Sequence, residues 1–505
     1  MERSRTFYAK KNILFGILGK LLIIVLEFVS RAVFIKFLGE ELLGINGVFT
    51  NVLQILSLAE LGIANVVNFS FYKPLAENDQ DRIAALISFY RTVYTVIAIV
   101  VGMIGIALIP FLKYLINTEI DVPNLPVIYL ICLSETVFSY LFVYKASLMA
   151  AAQRGYVVAK LDMGLNLART GLQMAAVALF RSIELYLIIR VVFYVGLNWI
   201  VAKRAEKDYP FVNRKGVSLS QKEKNDIAGV IRSGFIYKIA GVMLNSTDNI
   251  LISMLVGTVM VGRLGNYATI IVGISSIYTI VFSNLTAGIG NLVSTETKER
   301  KLEVFNILLC GSAWLAIVFS VCFLLLSGDF VTLWLGTSFV IDDASALMKA
   351  LMLFCSCALQ PIYSFREALG LYQKTKYVML AAAVINIVLS IIMGMVWGMA
   401  GILAASLIAM LVTYLWYEPI VLYKDCFGIS AKVYFLERLY EIAALAAAII
   451  VLGFFSNQWI VDSWIAWIMK GCVLFAVVNL YCLLLFHRNA GFKELMNRIK
   501  ERFNR

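Results

Sequence analysis

Fourteen apolar stretches run along this chain, and almost all of the loop charge falls in every second gap between them. The stretches lie at roughly 11–38, 42–72, 84–112, 125–150, 158–180, 183–203, 230–256, 263–292, 303–326, 345–372, 378–397, 400–423, 433–456 and 464–487. Crossing a bilayer takes about 20 apolar residues in a helix. Lipid offers the backbone no hydrogen bonds, so a chain of this kind has to cross as helices. The pattern predicts an all-α polytopic membrane protein with about 14 transmembrane helices. An even count puts both termini on one side.

Lysine and arginine decide which side. Arg3, Arg5, Lys10 and Lys11 precede the first stretch, and Lys73, Arg82, Arg154, Lys160, Lys298, Arg300, Lys301, Lys374, Lys376, Lys424 and Lys432 sit in alternate gaps. The central gap adds Lys203, Arg204, Lys207, Arg214, Lys215, Lys222 and Lys224, and the tail adds Arg488, Lys493, Arg498, Lys500, Arg502 and Arg505. The opposite gaps hold only Lys113, Arg181 and Arg263. Cationic loops stay in the cytoplasm, so both termini are expected there. The net charge of +12 is then an orientation signal facing the anionic inner leaflet, and no nucleic-acid partner is expected. The first stretch is a full span without a small-residue cleavage site, so no leader peptide is expected.

The eight cysteines fall mostly inside the stretches and form no C-x-x-C pair, so they read as packing residues. The single histidine, His487, and the lack of a Cys/His cluster argue against a zinc or haem centre. No cofactor is expected, and no catalytic residue is assigned.

The basic gap from about Arg204 to Gly229 divides the first twelve spans six and six. The expected organisation is an N-lobe at 1–203, a cytoplasmic linker at 204–229, a C-lobe at 230–427, a C-terminal helix pair at 428–487 and a basic tail at 488–505. In the tail, Phe492, Leu495, Met496, Ile499 and Phe503 share one helical face, which predicts an interfacial helix. The lobes echo each other. A charge, a short apolar run and Gly39 are followed five residues on by Gly44; Asp248, a similar run and Gly257 are followed five residues on by Gly262. Gly62-Ile63-Ala64-Asn65 in span 2 resembles Gly288-Ile289-Gly290-Asn291 in span 8. Lys145 followed by Gln153-Arg154 matches Arg366 followed by Gln373-Lys374. These matches indicate two pseudo-symmetric six-helix lobes in a parallel repeat, an arrangement that encloses substrate between its halves.

Basic residues left inside the spans are Lys20, Arg31, Lys36, Arg91, Lys145, Arg169, Arg190, Arg232, Lys238, Lys349, Arg366, Arg438 and Lys470. Lys36, Arg232, Lys349, Arg438 and Lys470 lie near span ends and are expected to snorkel. A deep charge costs about 2.5–3.5 kcal/mol on the lenient insertion scale, so the others should face a cavity or a partner. Lys20, Glu27 and Arg31 fall within about 20° of one helical stripe. Lys238, Asn245 and Asn249 repeat that spacing in span 7, with Asp248 alongside. Buried cations call for an anion, and arginine's planar fork suits phosphate oxygens. A lipid-linked diphosphate joins that group to an apolar chain and a polar glycan. The candidate substrate-binding set is Arg31, Lys145, Lys238, Arg366, Lys20, Arg91, Asn65, Asn245 and Asn249. Glu27, Asp248 and Glu60 are candidates for ion coupling or gating. Pro361 is expected to kink span 10 before Arg366.

Several stretches resemble the bacterial polysaccharide repeat-unit flippases (Wzx-type) of the multidrug/oligosaccharidyl-lipid/polysaccharide exporter superfamily. They are Phe28-Val29-Ser30-Arg31-Ala32-Val33-Phe34-Ile35-Lys36-Phe37-Leu38-Gly39, Leu56-Ser57-Leu58-Ala59-Glu60-Leu61-Gly62-Ile63-Ala64, Phe71-Tyr72-Lys73-Pro74-Leu75-Ala76, Tyr90-Arg91, and Ala368-Leu369-Gly370-Leu371-Tyr372-Gln373-Lys374-Thr375-Lys376-Tyr377. The resemblance implies two lobes around a cavity lined by spans 1, 2, 7 and 8. It implies alternating-access transfer of an undecaprenyl-diphosphate-linked oligosaccharide across the bacterial cytoplasmic membrane. Partners implied are that lipid-linked oligosaccharide, membrane lipids, an H+ or Na+ counter-ion and glycan polymerase machinery, with the chain a monomer. Arg31 matches a cavity arginine of the related lipid II flippases, but Ala32 stands where those carry aspartate. The C-terminal helix pair, shared with the lipid II flippases, is implied to hold lipid tail.

Two other readings compete. A drug exporter of the same superfamily would favour an acidic cavity, whereas the deep charges here lean basic. A membrane enzyme would need catalytic groups in an outer loop; the longest, about 327–344, offers Asp329, Asp342 and Asp343. No Walker motif is present, so ATP hydrolysis is not expected.

Overall fold

A computed structural model of the protein describes residues 23–57, 63–118, 122, 124–152, 154–214 and 216–503. Among these residues the fold is helical, with no strand. The helices are α1 (23–38), α2 (Glu40–Leu56), α3 (Ile63–Glu77), α4 (Gln80–Ala107), α5 (Leu112–Leu115), α6 (Leu125–Tyr140), α7 (Val143–Ala151), α8 (Gly155–Phe180), α9 (Ile183–Asp208) and α10 (Gln221–Leu255). They continue as α11 (Thr258–Thr295), α12 (Lys298–Leu335), α13 (Asp343–Ala358), α14 (Gln360–Ala368), α15 (Tyr372–Val412), α16 (Tyr414–Leu422), α17 (Lys432–Ser456), α18 (Trp464–Phe486) and α19 (Ala490–Phe503).

Seven helical segments among the described residues are long and apolar enough to cross a membrane, or eight when α6 and α7, bent by 47°, are taken as one span. One of the seven contains two crossings. Gly398 in α15 has φ +58° and ψ −137°, a conformation only glycine adopts without strain. Three residues on, a Cβ on Gly401 would overlap the Met393 carbonyl. In a straight helix those residues would stand about 12 Å apart. The chain therefore turns back at Gly398, between the stretches read at 378–397 and 400–423. This is a multi-pass membrane protein. Its exposed apolar residues suit that setting: Val96, Ile99, Val100, Met103 and Ile106 lie open along α4, a face for lipid chains.

The chain forms two compact units, Met1–Gly262 and Arg263–Arg505. In the first, α9 packs on α6 and α8, α4 on α6, and α10 on α2. Its core is aromatic, with Phe49, Phe71, Tyr90, Tyr94, Tyr129 and Tyr140 fully buried. In the second, α12 is the central helix and packs on α13, α17, α18 and α19. Helix–helix association in lipid rests on close packing rather than on hydrophobic expulsion, which suits such interlocked aromatic interiors.

Two local features add to the sequence reading. The segment 221–229, read as linker, is the start of α10: Ser220 and Glu223 form a capping box there. The tail does become a helix, α19, but it lies against α12: Phe492 is buried and stacks on Trp314 at 5.4 Å, while Lys493 stays exposed.

Candidate functional site

The glycine repeat acquires a structural meaning in the first unit. Gly39 (φ +87°) precedes α2 and Gly257 (φ +136°) precedes α11, so each supplies the left-handed step between two helices. Five residues on, Gly44 and Gly262 bring those helices together. A Cβ on Gly44 would overlap the Thr258 carbonyl, and one on Gly262 would stand 2.7 Å from the Glu40 carbonyl. The same end is tied by Thr258, whose backbone N–H and hydroxyl both donate to the Asn117 carbonyl at 2.9 Å. Ser253 donates to the Leu115 carbonyl at 2.7 Å, and Thr118 bonds Glu41. The Gly44 obstruction is backbone and cannot swing away. Gly44→Ala is expected to destabilise the protein by about 1–3 kcal/mol, as overpacking does. An unchanged thermal midpoint would show that the purified protein lacks this contact.

Arg31 docks beside this seam. Its Nη2 donates to the Gly262 carbonyl at 3.2 Å. Glu27, one turn earlier on α1, lies in the field of both Arg31 and Arg169. On α9, Arg190 donates from Nε to Glu135 Oε2 at 2.7 Å and from Nη1 to Asn46 Oδ1 at 3.1 Å, with Cys132 Sγ 3.5 Å from Nη2. Tyr186, one turn before Arg190, lies in the field of Arg31, Arg169 and Arg190 and meets Phe34 edge-on at 5.0 Å. Three guanidinium groups therefore gather against two carboxylates, Glu27 and Glu135. Arg169 Nε is buried with no hydrogen-bond partner among the described residues.

The remaining sequence candidates fall elsewhere. Lys145 on α7 pairs with Glu206 on α9 at 2.5 Å, and Glu206 also takes Lys203 at 3.0 Å. Arg154 and Arg204 share Asp208 nearby on α9. Arg91 is exposed on α4. Asp248 is buried on α10, Asn249 half-buried, and the neighbouring Ser246 donates to Gln54 on α2 at 3.1 Å. In the second unit Arg366 is buried and pairs with Glu418 on α16 at 2.5 Å, its guanidinium 4.6 Å from the Tyr363 ring. Pro361 sits in the first turn of α14, just after the break at Leu359 that separates α13 from α14. Asn65, Lys238 and Asn245 are helical, their side chains outside the described residues; Lys20 and Glu60 lie wholly outside them.

Two expectations are overturned. Arg438 and Lys470 do not snorkel: they are 7% and 3% exposed and pair inward with Glu441 at 2.6 Å and Asp329 at 2.7 Å. Each span carried or faced its own carboxylate, so pairing replaced solvation. Asp342 is a helix cap, accepting from the Ser345 N–H at 2.8 Å at the start of α13.

The sequence reading missed the importance of Arg169, Arg190, Glu206 and Glu418. The signal for Arg190 was present: Tyr186 and Arg190 stand at i,i+4 on α9 just as Glu27 and Arg31 do on α1. Glu206 and Glu418 answer cations 61 and 52 residues away, which no local spacing reveals.

No family model and no curated protein matches the sequence. Solved structures do match. The lipid II flippase MurJ in an inward closed conformation superposes with a TM-score of 0.66 at 13% identity, over 94% of this chain and 99% of that one. A multidrug resistance MATE family transporter of the MOP superfamily, inward-facing, gives 0.52 at 13% identity over 78% and 93%. The Vibrio cholerae MATE transporter VcmN, as a mutant, gives 0.54 at 13% identity over 80% and 93%. The chain thus has the fold these membrane transporters share.

Proposed function

We propose that the protein is a flippase that carries undecaprenyl-diphosphate-linked oligosaccharide repeat units from the inner to the outer leaflet of the bacterial cytoplasmic membrane. The observation that carries this reading is the arginine cluster of the first unit, with its excess cation and the unpartnered Arg169 Nε. A diphosphate offers several acceptor oxygens to such a group of planar forks. In the reading, Arg31 and Arg190 exchange their present partners for phosphate oxygens as the lipid enters. Glu27 and Glu135, released, take up H+ or Na+, which couples transfer to an ion gradient or the membrane potential. Lys145 and Arg366, neutralised here by Glu206 and Glu418, act in other states of the cycle or hold helices together. The tied end near Gly44 and Gly262 is the outer seam in this reading, closed while the substrate loads from inside. Both termini are cytoplasmic, and the protein acts as a monomer that hands its product to glycan polymerase machinery. Chemistry is left to other proteins; nothing in the cluster is assigned a bond-breaking role.

A second reading, flipping of lipid II, is favoured by the wide coverage of the lipid II flippase match. Ala32, where those flippases carry aspartate, weighs against it. Liposomes containing the protein separate the two. With a fluorescent undecaprenyl-diphosphate oligosaccharide and an imposed ion gradient, outer-leaflet accessibility is expected to rise. Transfer of labelled lipid II alone would favour the second reading, and transfer of neither by folded protein would remove both.

A further inference from the structure

The α17–α18 hairpin of the second unit carries a polar site of its own. At the end of the hairpin next to α19, a cavity of about 370 Å³ lies between the early turns of α17 and the last turn of α18. Glu437 and Glu441, one turn apart on α17, line it with Tyr440; Leu484, Phe486 and Arg488 line it from the other side. Glu441 is 3% exposed. One of its oxygens accepts from Arg438 Nη2 at 2.6 Å. The other, Oε2, is buried without a hydrogen-bond partner among the described residues. A buried carboxylate oxygen with no donor is unusual and costly, and it marks a site that a ligand completes.

Arg438 Nε and Nη1 are likewise buried without a hydrogen-bond partner among the described residues, so the missing ligand must offer an acceptor as well as a donor. The donor best carries positive charge, because Glu437 and Glu441 share that one buried guanidinium. A primary ammonium is such a donor, with three N–H groups on one small centre. The exposed Arg488 at the rim adds a cation that suits a phosphate a few ångströms away. Tyr440, Leu484 and Phe486 supply the apolar wall that glycerol and the first acyl carbons need. We propose that this cavity seats the headgroup of a membrane phospholipid of the ethanolamine type, with its ammonium on Glu441 and Glu437 and its phosphate towards Arg488. The site is not a second seat for a diphosphate lipid, whose charge the two carboxylates would repel, and it holds whether or not the flippase reading does.

Native mass spectrometry of the full-length protein, released from membranes of mixed composition, tests this. The probes are phosphatidylethanolamine, phosphatidylcholine, whose methyl groups replace every N–H, and phosphatidylglycerol, which lacks the cation. Wild type is expected to retain the ethanolamine lipid about tenfold over the choline lipid, the scale of one charge-assisted hydrogen bond. Glu441→Gln should erase that preference. Because Glu441 also holds Arg438, Glu437→Gln is the second variant: it leaves that pair intact and should reduce the preference several-fold. Soluble ethanolamine at millimolar concentration should not displace the lipid. Equal retention of all three lipids by wild type overturns the proposal. So does a preference unchanged in both variants, or displacement by soluble ethanolamine, which would make the site one for small cations.

Discussion

Arg366→Met alone is expected to lower stability by about 3–5 kcal/mol, and adding Glu418→Leu should recover most of that loss. The pair is among the most secluded in the protein: Arg366 is 6% exposed, Glu418 is 2% exposed, and they meet at 2.5 Å. Removing the arginine leaves a carboxylate without its charge partner among apolar helices. Removing both leaves two apolar side chains of comparable volume. Thermal unfolding of the purified single and double variants measures the coupling between the two residues. A double variant no more stable than the single one would mean the ion pair is not what holds α14 to α16. The same double variant separates structure from transport. If it folds and still flips lipid, Arg366 is an internal tie. If it folds and is inert, Arg366 leaves Glu418 during the cycle to meet substrate.

How legible this was in the sequence depends on the range of the forces involved. Membrane spans are local: their length and apolarity are set by bilayer thickness, so the ladder of stretches carried the fold class. The turn at Gly398 fell at the expected gap because only a break there lets two spans share one continuous apolar run. The glycine repeat was visible as spacing, but its purpose was not. That Gly44 meets Thr258, and Gly262 meets Glu40, depends on two helices from distant parts of the chain coming together. Charges were the least legible. Position along a span suggested that Arg438 and Lys470 would reach for the membrane surface. Glu441 lay three residues from Arg438 and was available; Asp329, the partner of Lys470, lay 141 residues away. Lys145 and Arg366 meet carboxylates 61 and 52 residues away, beyond the reach of any local spacing. Of the stripe Lys20, Glu27 and Arg31, the last two stand one turn apart on α1, in the field of Arg169; Lys20 lies outside the described residues. The other half of that cluster, Arg169 and Arg190, stands on α8 and α9 and came into view only with the packing.

Within the cluster, Arg31 and Arg190 are expected to fail in different ways. Arg190 is held by Glu135, Asn46 and Cys132, so Arg190→Leu strands Glu135 and should cost about 3–5 kcal/mol. The expected result is poor expression or a lowered melting point, with any loss of transport following from that. Arg31 is half-buried, its guanidinium donates to a backbone carbonyl, Gly262, and Glu27 lies in its field one turn away. Arg31→Ala strands no directly bonded buried carboxylate of the Glu135 kind, so it should cost less than Arg190→Leu, about 1.5–3 kcal/mol. Its transport, by contrast, should fall about 10- to 100-fold, because the same interaction energy is removed from the phosphate contact in the loaded state. Arg31→Lys discriminates further. Lysine keeps the charge but not the planar fork, so an intermediate rate is expected if the ligand is a phosphate held by two parallel bonds. Melting curves and liposome transfer rates on the three variants form one test. Full transport by well-folded Arg31→Ala would take the arginine cluster out of the substrate path and leave it a packing device for α1, α6, α8 and α9. A folded, inert Arg31→Ala with a half-active Arg31→Lys would fix the chemistry of the ligand as an anion that reads guanidinium geometry, which a small cationic drug cannot do.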